Sequence, residues 1–294
     1  MNSAHTQAPA GAVVVGFDGS ENARPALVFA AEEALRREAP LHVIYAFLAP
    51  RTWGAPMPPL DIERIRDAVL NRAREIVATV TSDLTITTEF HQADPVTVLL
   101  NASTQASVVV VGARGIGGVQ RALLGSVSQK VVARAVSPVI VVHGPPGDLA
   151  GPVIVGMDPN EESDQVMEYA FAEARRRKTG LLVVQARQHE PANPRAIREA
   201  GIGDYLKAAG EVAEERGRKM AAAWQAKYQD VPVTLQQVRG QASEAIIAAA
   251  KQGCVTVVGD HGRSGFAAQI IGSVTQAVLY QVPVVAVVKI TYDE

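Results

Sequence analysis

The feature that most constrains this chain is a glycine pattern written twice. VVVVGARGIGGVQRALLGSVSQKVV runs from Val108 to Val132, and VTVVGDHGRSGFAAQIIGSVTQAVL runs from Val255 to Leu279. Each is an apolar stretch short enough for a buried strand, then a glycine-rich turn, then a Gly-Ser pair that opens an apolar-periodic helix. Gly112, Gly115 and Gly125-Ser126 in the first copy correspond to Gly259, Gly262 and Gly272-Ser273 in the second. The pattern G-x2-G-x9-G-S therefore recurs intact, 147 positions apart.

Such a pattern suits an anion. Glycines behind a strand admit backbone conformations closed to other residues and let a ligand approach, so that successive N–H groups can point at one oxyanion. A Gly-Ser helix start adds unpaired N–H groups, the positive end of the helix dipole and a hydroxyl. One glycine-rich turn is ordinarily just a tight turn, but two at identical spacing read as a pair of phosphate cradles.

The rest of the chain is organised around these units. AVVVGFDGS, Ala12 to Ser20, has the continuous apolar run of a parallel strand covered on both faces, ending in Asp18 and a turn. Alanine-rich helical periodicity follows from Asn22 to Glu38, with Pro25 tolerated in the first turn. LHVIYAF is a second strand, the proline-rich segment 48–59 a loop, Asp61 to Thr81 a long amphipathic helix and LTITTEFH a third strand. Pro95 to Thr104 is a short helix, and SPVIVVH closes the half after the glycine unit. Beyond HGPPGDLAGP the series restarts: PVIVGMDPN repeats AVVVGFDGS, with Asp158 in the place of Asp18 at an offset of 140. LLVVQAR, a long helix over 204–228, VTLQQVRG, a short helix over 243–252 and VPVVAVVKI complete it. Between the second strand and the glycine unit the offset grows from 140 to 147, which places seven extra residues around HEPANPRAIREAGIGD, outside the site. Strict alternation of strand and helix, five strands per half, predicts two tandem α/β domains with parallel sheets. The expected divisions are a disordered tail at 1–10, a first domain at 11–143, a linker at 144–152 and a second domain at 153–294.

Composition excludes several classes of function. A length of 294 residues suits two domains. A formal charge of -2 without basic runs argues against a nucleic-acid surface. No uncharged apolar stretch reaches about 18 residues, so no membrane span is expected, and the N-terminus lacks the regions of a signal peptide. Cys254 is the one cysteine, which rules out intramolecular disulfides and suits a reducing cytoplasm; it reads as a small buried residue. The six histidines never pair at helical metal spacing and no cysteine pair exists, so a metal is expected only as Mg²⁺ on a bound nucleotide's phosphates. The phosphate-lysine loop G-x4-G-K-[ST], the dinucleotide fingerprint after either first strand and the serine-nucleophile elbow are all missing.

The aspartate after the first strand, the apolar second strand and G-x2-G-x9-G-S before the last helix resemble the universal stress protein family, here as a tandem pair covering nearly the whole chain. The glycine motif resembles that of the family's ATP-binding branch. The resemblance implies an open five-stranded parallel sheet of order 3-2-1-4-5 in each half, with helices on both faces and the ligand at the carboxyl ends of the strands near the switch point. Carried over by position, it places Asp18 and Asp158 beside the nucleoside and Ala46 and Ala186 along the adenine pocket. Gly112, Gly115, Gly125 and Ser126 would hold ribose and phosphates in the first half, with Gly259, Gly262, Gly272 and Ser273 doing so in the second. Val127 and Val274 would add backbone N–H groups. Arg114 and His261, inside the glycine turns, read either as phosphate neighbours or as solvated turn residues, and Asp158 reads alternatively as a cap for the helix after it.

One departure stands out. The first half has Asp18-Gly19-Ser20 where the second has Asp158-Pro159-Asn160, and proline fixes φ and removes an N–H. The turn beside the second nucleotide must therefore differ. Three functions are compatible with the chain: an ATP-binding regulatory or stress-response protein with little turnover and no catalytic residue, a slow ATPase in which Asp18 or His261 assists attack, and a nucleotide-independent scaffold whose glycines only pack a helix on a strand. The apolar closing strands are expected at sheet edges, where the halves or two chains would join, and the resemblance also implies dimers.

Overall fold

The computed structural model describes residues 7–48, 61–115, 124–144, 150–158, 164–187, 201, 203–260 and 271–290, with the backbone alone at 206. These residues fall into two compact units, one on each side of positions 146 and 147.

The first unit contains β1 (Val13–Gly16), α1 (Arg24–Arg36), β2 (Leu41–Ala46), α2 (Ile62–Ala78), β3 (Ile86–His91), α3 (Pro95–Ser103), β4 (Val108–Gly112), α4 (Ser126–Arg134) and β5 (Val139–Val142). Its strands are parallel in the order β3-β2-β1-β4-β5, the predicted 3-2-1-4-5. Val13, Val14 and Val15 are fully buried, as are Val108, Val109 and Val110 on the neighbouring strand. Each such side chain contributes about 1.5–3 kcal/mol by leaving water, which explains why unbroken valine runs occupy the centre of the sheet. β3, at the outside of the order, is only half-buried.

Helix ends follow local chemistry. Asp61 caps α2 by accepting the Arg64 N–H at 3.0 Å, and Asp94 caps α3 by accepting the Thr97 N–H at 3.1 Å. Pro25 and Pro95 lie in the first turns of α1 and α3, where no N–H is needed. α1 stops at Arg36, and Glu38 then takes a φ of 52°.

The second unit repeats the plan with β6 (Val153–Gly156), α5 (Asp164–Arg177), β7 (Leu181–Arg187), α6 (Gly203–Lys227), β8 (Val233–Arg239), α7 (Ala242–Ala250), β9 (Val255–Asp260), α8 (Ser273–Gln281) and β10 (Val284–Lys289). Its parallel order is β8-β7-β6-β9-β10. The duplication extends to details: Lys178 has the same φ of 52° as Glu38. Each first helix also buries a glutamate under an arginine four residues on, Arg37 Nε to Glu33 Oε1 and Arg177 Nε to Glu173 Oε1, both at 2.6 Å. Most of the seven-residue insertion around HEPANPRAIREAGIGD lies outside the described residues.

The halves differ inside. Tyr45 and Phe90 are register partners on β2 and β3 with ring centroids 5.3 Å apart. The corresponding partners on β7 and β8 are Gln185 and Gln237, joined by a 2.7 Å hydrogen bond. Gln185 is buried, and its amide donates to the Ala213 carbonyl of α6 at 2.8 Å. The helix passes so close there that a Cβ on Gly217 would run into the Gln185 amide and displace it. An aromatic contact in one half is thus replaced by a fully bonded amide pair in the other, as burial of polar groups requires.

Candidate nucleotide site

In the first unit the sheet order reverses between β1 and β4, and the predicted residues gather at the carboxyl ends of those strands. β1 runs out into Asp18, whose Oδ1 accepts the Ser20 N–H at 3.0 Å. Gly19 between them has a φ of 82°, which a side chain rarely adopts. Ser20 Oγ then accepts the Ala23 N–H at 3.2 Å and starts α1. Asp18-Gly19-Ser20 therefore forms the turn that leads into α1, with the second carboxylate oxygen on the side of Gly115. A Cβ built on Gly115 would stand 2.5 Å from Asp18 Oδ2, so the two predicted site residues are in direct apposition. Burial raises the Tyr45 phenol above its ordinary pKa, and the Asp18 charge adds to that rise; the carboxylate lies within electrostatic reach of the end of β2, where Ala46 is half-buried.

The strand-to-helix connection is tied on the other side. Ala113 N–H donates to Val142 O at 2.8 Å, and Gly125 N–H donates to Ala113 O at 2.7 Å. Ser128 Oγ donates to Gly112 O at 2.6 Å. These bonds fix the start of α4 beside the end of β4. Gly125 is the N-cap and supplies no side-chain acceptor, so the first-turn N–H groups, including those of Ser126 and Val127, receive nothing from the cap residue. Ser126 is exposed and Val127 half-buried. A helix beginning this way concentrates positive potential at its N-terminus and suits an anion.

The second unit builds the same connection. Thr275 Oγ1 donates to Gly259 O at 2.7 Å, matching Ser128, and Gly272 is an N-cap without a side-chain bond. Ser273 is exposed and Val274 half-buried. Asp158 follows β6 and is exposed, and Ala186 is half-buried near the end of β7. His261 and Gly262 lie outside the described residues, as do Pro159 and Asn160. Pro159 stands in sequence where Gly19 takes a φ of 82°, a value proline does not adopt.

Of the two properties expected of the glycines, conformational freedom and close approach, the described ones show the second: none of Gly112, Gly115, Gly125, Gly259 or Gly272 has a positive φ. A Cβ on Gly112 would meet Arg114 O at 3.3 Å and Ala23 Cα at 3.6 Å, and one on Gly125 would meet Ala113 O at 3.2 Å. Packing alone accounts for both. Gly272 differs, since a Cβ there meets nothing within 4 Å among the described residues.

Three features escaped the sequence reading. Ser128 and Thr275 clamp the two helix starts, and the signal was available: a hydroxyl residue stands two places after each Gly-Ser. In the second unit Asp260, buried at the end of β9, pairs with Lys289 of β10, where the register of the first unit has Ala113 and His143. On β2 and β3, Glu89 Oε2 lies 3.0 Å from His42 Nε2 and accepts the Gln7 N–H at 3.1 Å, while Glu89 Oε1 lies 2.8 Å from His91 Nε2. Burial holds His42 below its ordinary pKa, against the opposing hydrogen bond and charge of Glu89. Among the described residues no group of acidic, histidine or cysteine side chains could hold a metal ion, and no helix is long and apolar enough to cross a membrane.

Two doubly wound α/β units, each with a glycine-capped helix N-terminus at the switch point, define the class: a tandem doubly wound α/β protein. The model of the universal stress protein family matches residues 10–143 and again 150–289, and the chain belongs to that family. The universal stress protein Rv2005c of Mycobacterium tuberculosis is 33% identical over 291 residues, covering 93% of this chain and 95% of the relative. Among solved structures, the functionally unknown protein PA1789 from Pseudomonas aeruginosa superposes with a TM-score of 0.67 at 16% identity, over 95% of this chain and 92% of its own. A universal stress protein from Archaeoglobus fulgidus does so with a TM-score of 0.63 at 19% identity, over 97% and 99%. These likenesses establish the fold.

Proposed function

We propose that each half binds an adenine nucleotide, ATP with Mg²⁺ on its phosphates, and that the protein works in the cytoplasm as a nucleotide-dependent regulator in the stress response with little turnover. The observation that carries this reading is the start of α4, whose Gly125 N-cap offers no side-chain bond, tied to the end of β4 and built again at α8 beside β9. In this reading the phosphates sit on the first-turn N–H groups of α4 and α8, with Ser126 and Ser273 as hydroxyl donors and Val127 and Val274 behind them. Asp18 and Asp158 accept hydrogen bonds from the ribose, while Ala46 and Ala186 line the base. Arg114 and His261 stand near the phosphates, and Gly259 and Gly262 complete the second cradle. Mg²⁺ offsets the charge that the phosphates and Asp18 would otherwise bring together. Assembly of two chains through last-strand edges belongs to the same proposal.

The test is to denature freshly purified protein and identify released nucleotide by chromatography, alongside a Gly125→Glu, Gly272→Glu double variant. Adenine nucleotide that is present in the wild type and lost in the variant supports the reading. A wild type that is empty and also fails to bind added Mg-ATP overturns it and leaves the scaffold. Steady phosphate release from ATP that is lost in an Asp18→Asn variant would instead favour the slow ATPase.

A further inference from the structure

We propose that Ser128 and Thr275 are positioning residues of the two nucleotide sites: each hydroxyl holds a first helical turn where its free N–H groups meet a ligand's phosphates, and neither acts on the base. The inference rests on the nucleotide reading above.

The end of each central strand leaves a carbonyl in need of a partner. β1 and β4 stay in register only to Val15 and Val110, while β4 and β5 continue to Gly112 and Val142. β6 and β9 likewise stop at Val155 and Val257, while β9 and β10 continue to Asp260 and Lys289. The carbonyls of Gly112 and Gly259 therefore lie past the last register pair on the switch-point side. Left bare, each would present lone pairs beside the place proposed for the phosphates. Ser128 Oγ donates to Gly112 O at 2.6 Å and Thr275 Oγ1 to Gly259 O at 2.7 Å. Ser128 and Thr275 are 5% and 3% exposed, so each hydroxyl is a buried donor engaged with the strand end.

The same bond decides what the helix has left to offer. A polar side chain at the third helical position commonly turns back to the N-cap N–H. In the first half the Gly125 N–H is already taken by Ala113 O at 2.7 Å, and the hydroxyl at that position turns to the strand instead. The first bonds of the two helices run from Gln129 N–H to Gly125 O at 3.0 Å and from Gln276 N–H to Gly272 O at 2.8 Å. The N–H groups of residues 126–128 and 273–275 precede them and have no acceptor among the described residues. Three donors in one turn, pinned to a strand end, can receive phosphate oxygens without rearranging first. Both halves have a hydroxyl at this position, although Lys130, Ala133 and Arg134 of α4 stand where α8 has Ala277, Tyr280 and Gln281.

The test uses the full chain with Gly272→Glu, which closes the second cradle, and measures Mg-ATP binding by calorimetry, with Mg-tripolyphosphate and adenosine as competitors. In Ser128→Ala the dissociation constants of Mg-ATP and Mg-tripolyphosphate should both rise about tenfold, the scale of one hydrogen bond and the carbonyl it leaves unpaired, while the inhibition constant of adenosine stays the same. Ser128→Thr, the residue of the second half, keeps the original affinities. Thr275→Val in the full chain with Gly125→Glu preserves the side-chain shape and removes the donor, so it reads the same selective loss at the second site should the alanine variant unfold. Unchanged Mg-ATP affinity in these folded variants, or a loss that adenosine shares equally, overturns the inference while leaving nucleotide binding intact. Failure of the unmodified chain to bind Mg-ATP overturns the parent reading as well.

Discussion

Alanine at Gly115 separates a ligand site from a packing site. The added Cβ would stand 2.5 Å from Asp18 Oδ2, about 1 Å inside an ordinary contact. Gly115 has no positive φ, so the backbone accepts alanine without strain, and the obstacle is a side-chain tip that can turn aside. Turning aside removes the carboxylate from the place proposed for the nucleoside. A hydrogen bond to a charged group contributes about 1.5–3 kcal/mol, so the dissociation constant for Mg-ATP should rise roughly 10- to 150-fold. The fold itself should lose at most about 1 kcal/mol, which moves the melting midpoint by about 2–4 °C. The assay is calorimetric titration in the Gly272→Glu background, paired with thermal unfolding. Unchanged affinity in a folded Gly115→Ala protein would refute the role given to the Asp18–Gly115 apposition.

Other consequences concern the fold around the site. Gly19→Ala forces a side chain onto a φ of 82° and brings its Cβ 3.0 Å from Val69 Cγ2, so denaturant unfolding should show a loss of about 1–2 kcal/mol; no loss would mean the turn is not held there. Burial raises the Cys254 thiol above its ordinary pKa and leaves it 5% exposed, so a thiol reagent at mildly alkaline pH should react only after denaturant is added. His42 has a folded pKa below its unfolded 6.5, so on acidification the unfolded chain takes up the proton first. Its effect is therefore absent above about 6.5 and destabilises the fold as pH falls through that value. Melting midpoints should decline below about pH 6.5, less steeply in His42→Leu, and an identical slope in that variant would remove His42 as a cause.

Much of the fold was legible because it is written in apolar runs. The valine stretches at 13–15 and 108–111 could only be central strands, and the helices expected from Asp61 and from Pro95 begin there, behind the caps Asp61 and Asp94. The repeat offset carried the second half with it. Of the positions that the sequence singled out, the structure brings Asp18, Gly112, Gly115 and Gly125 to one end of the first sheet. What the glycines do there was not legible: their φ values depend on how closely β4, α1 and α4 pack, which spacing does not encode. Side-chain sets that span strands were also hidden. Tyr45 with Phe90, Gln185 with Gln237, and His42 with Glu89 and His91 become partners only through cross-strand register. Each pair lies about 45 to 52 residues apart in sequence, beyond any local periodicity.

The most direct measurement of the central claim is calorimetric titration of nucleotide-stripped full-length protein with Mg-ATP, read for stoichiometry. The account predicts two sites per chain, falling to one in Gly125→Glu and one in Gly272→Glu. Absence of binding at any accessible concentration would contradict it, and unchanged stoichiometry in both variants would show that the nucleotide sits somewhere other than the glycine-capped helix starts.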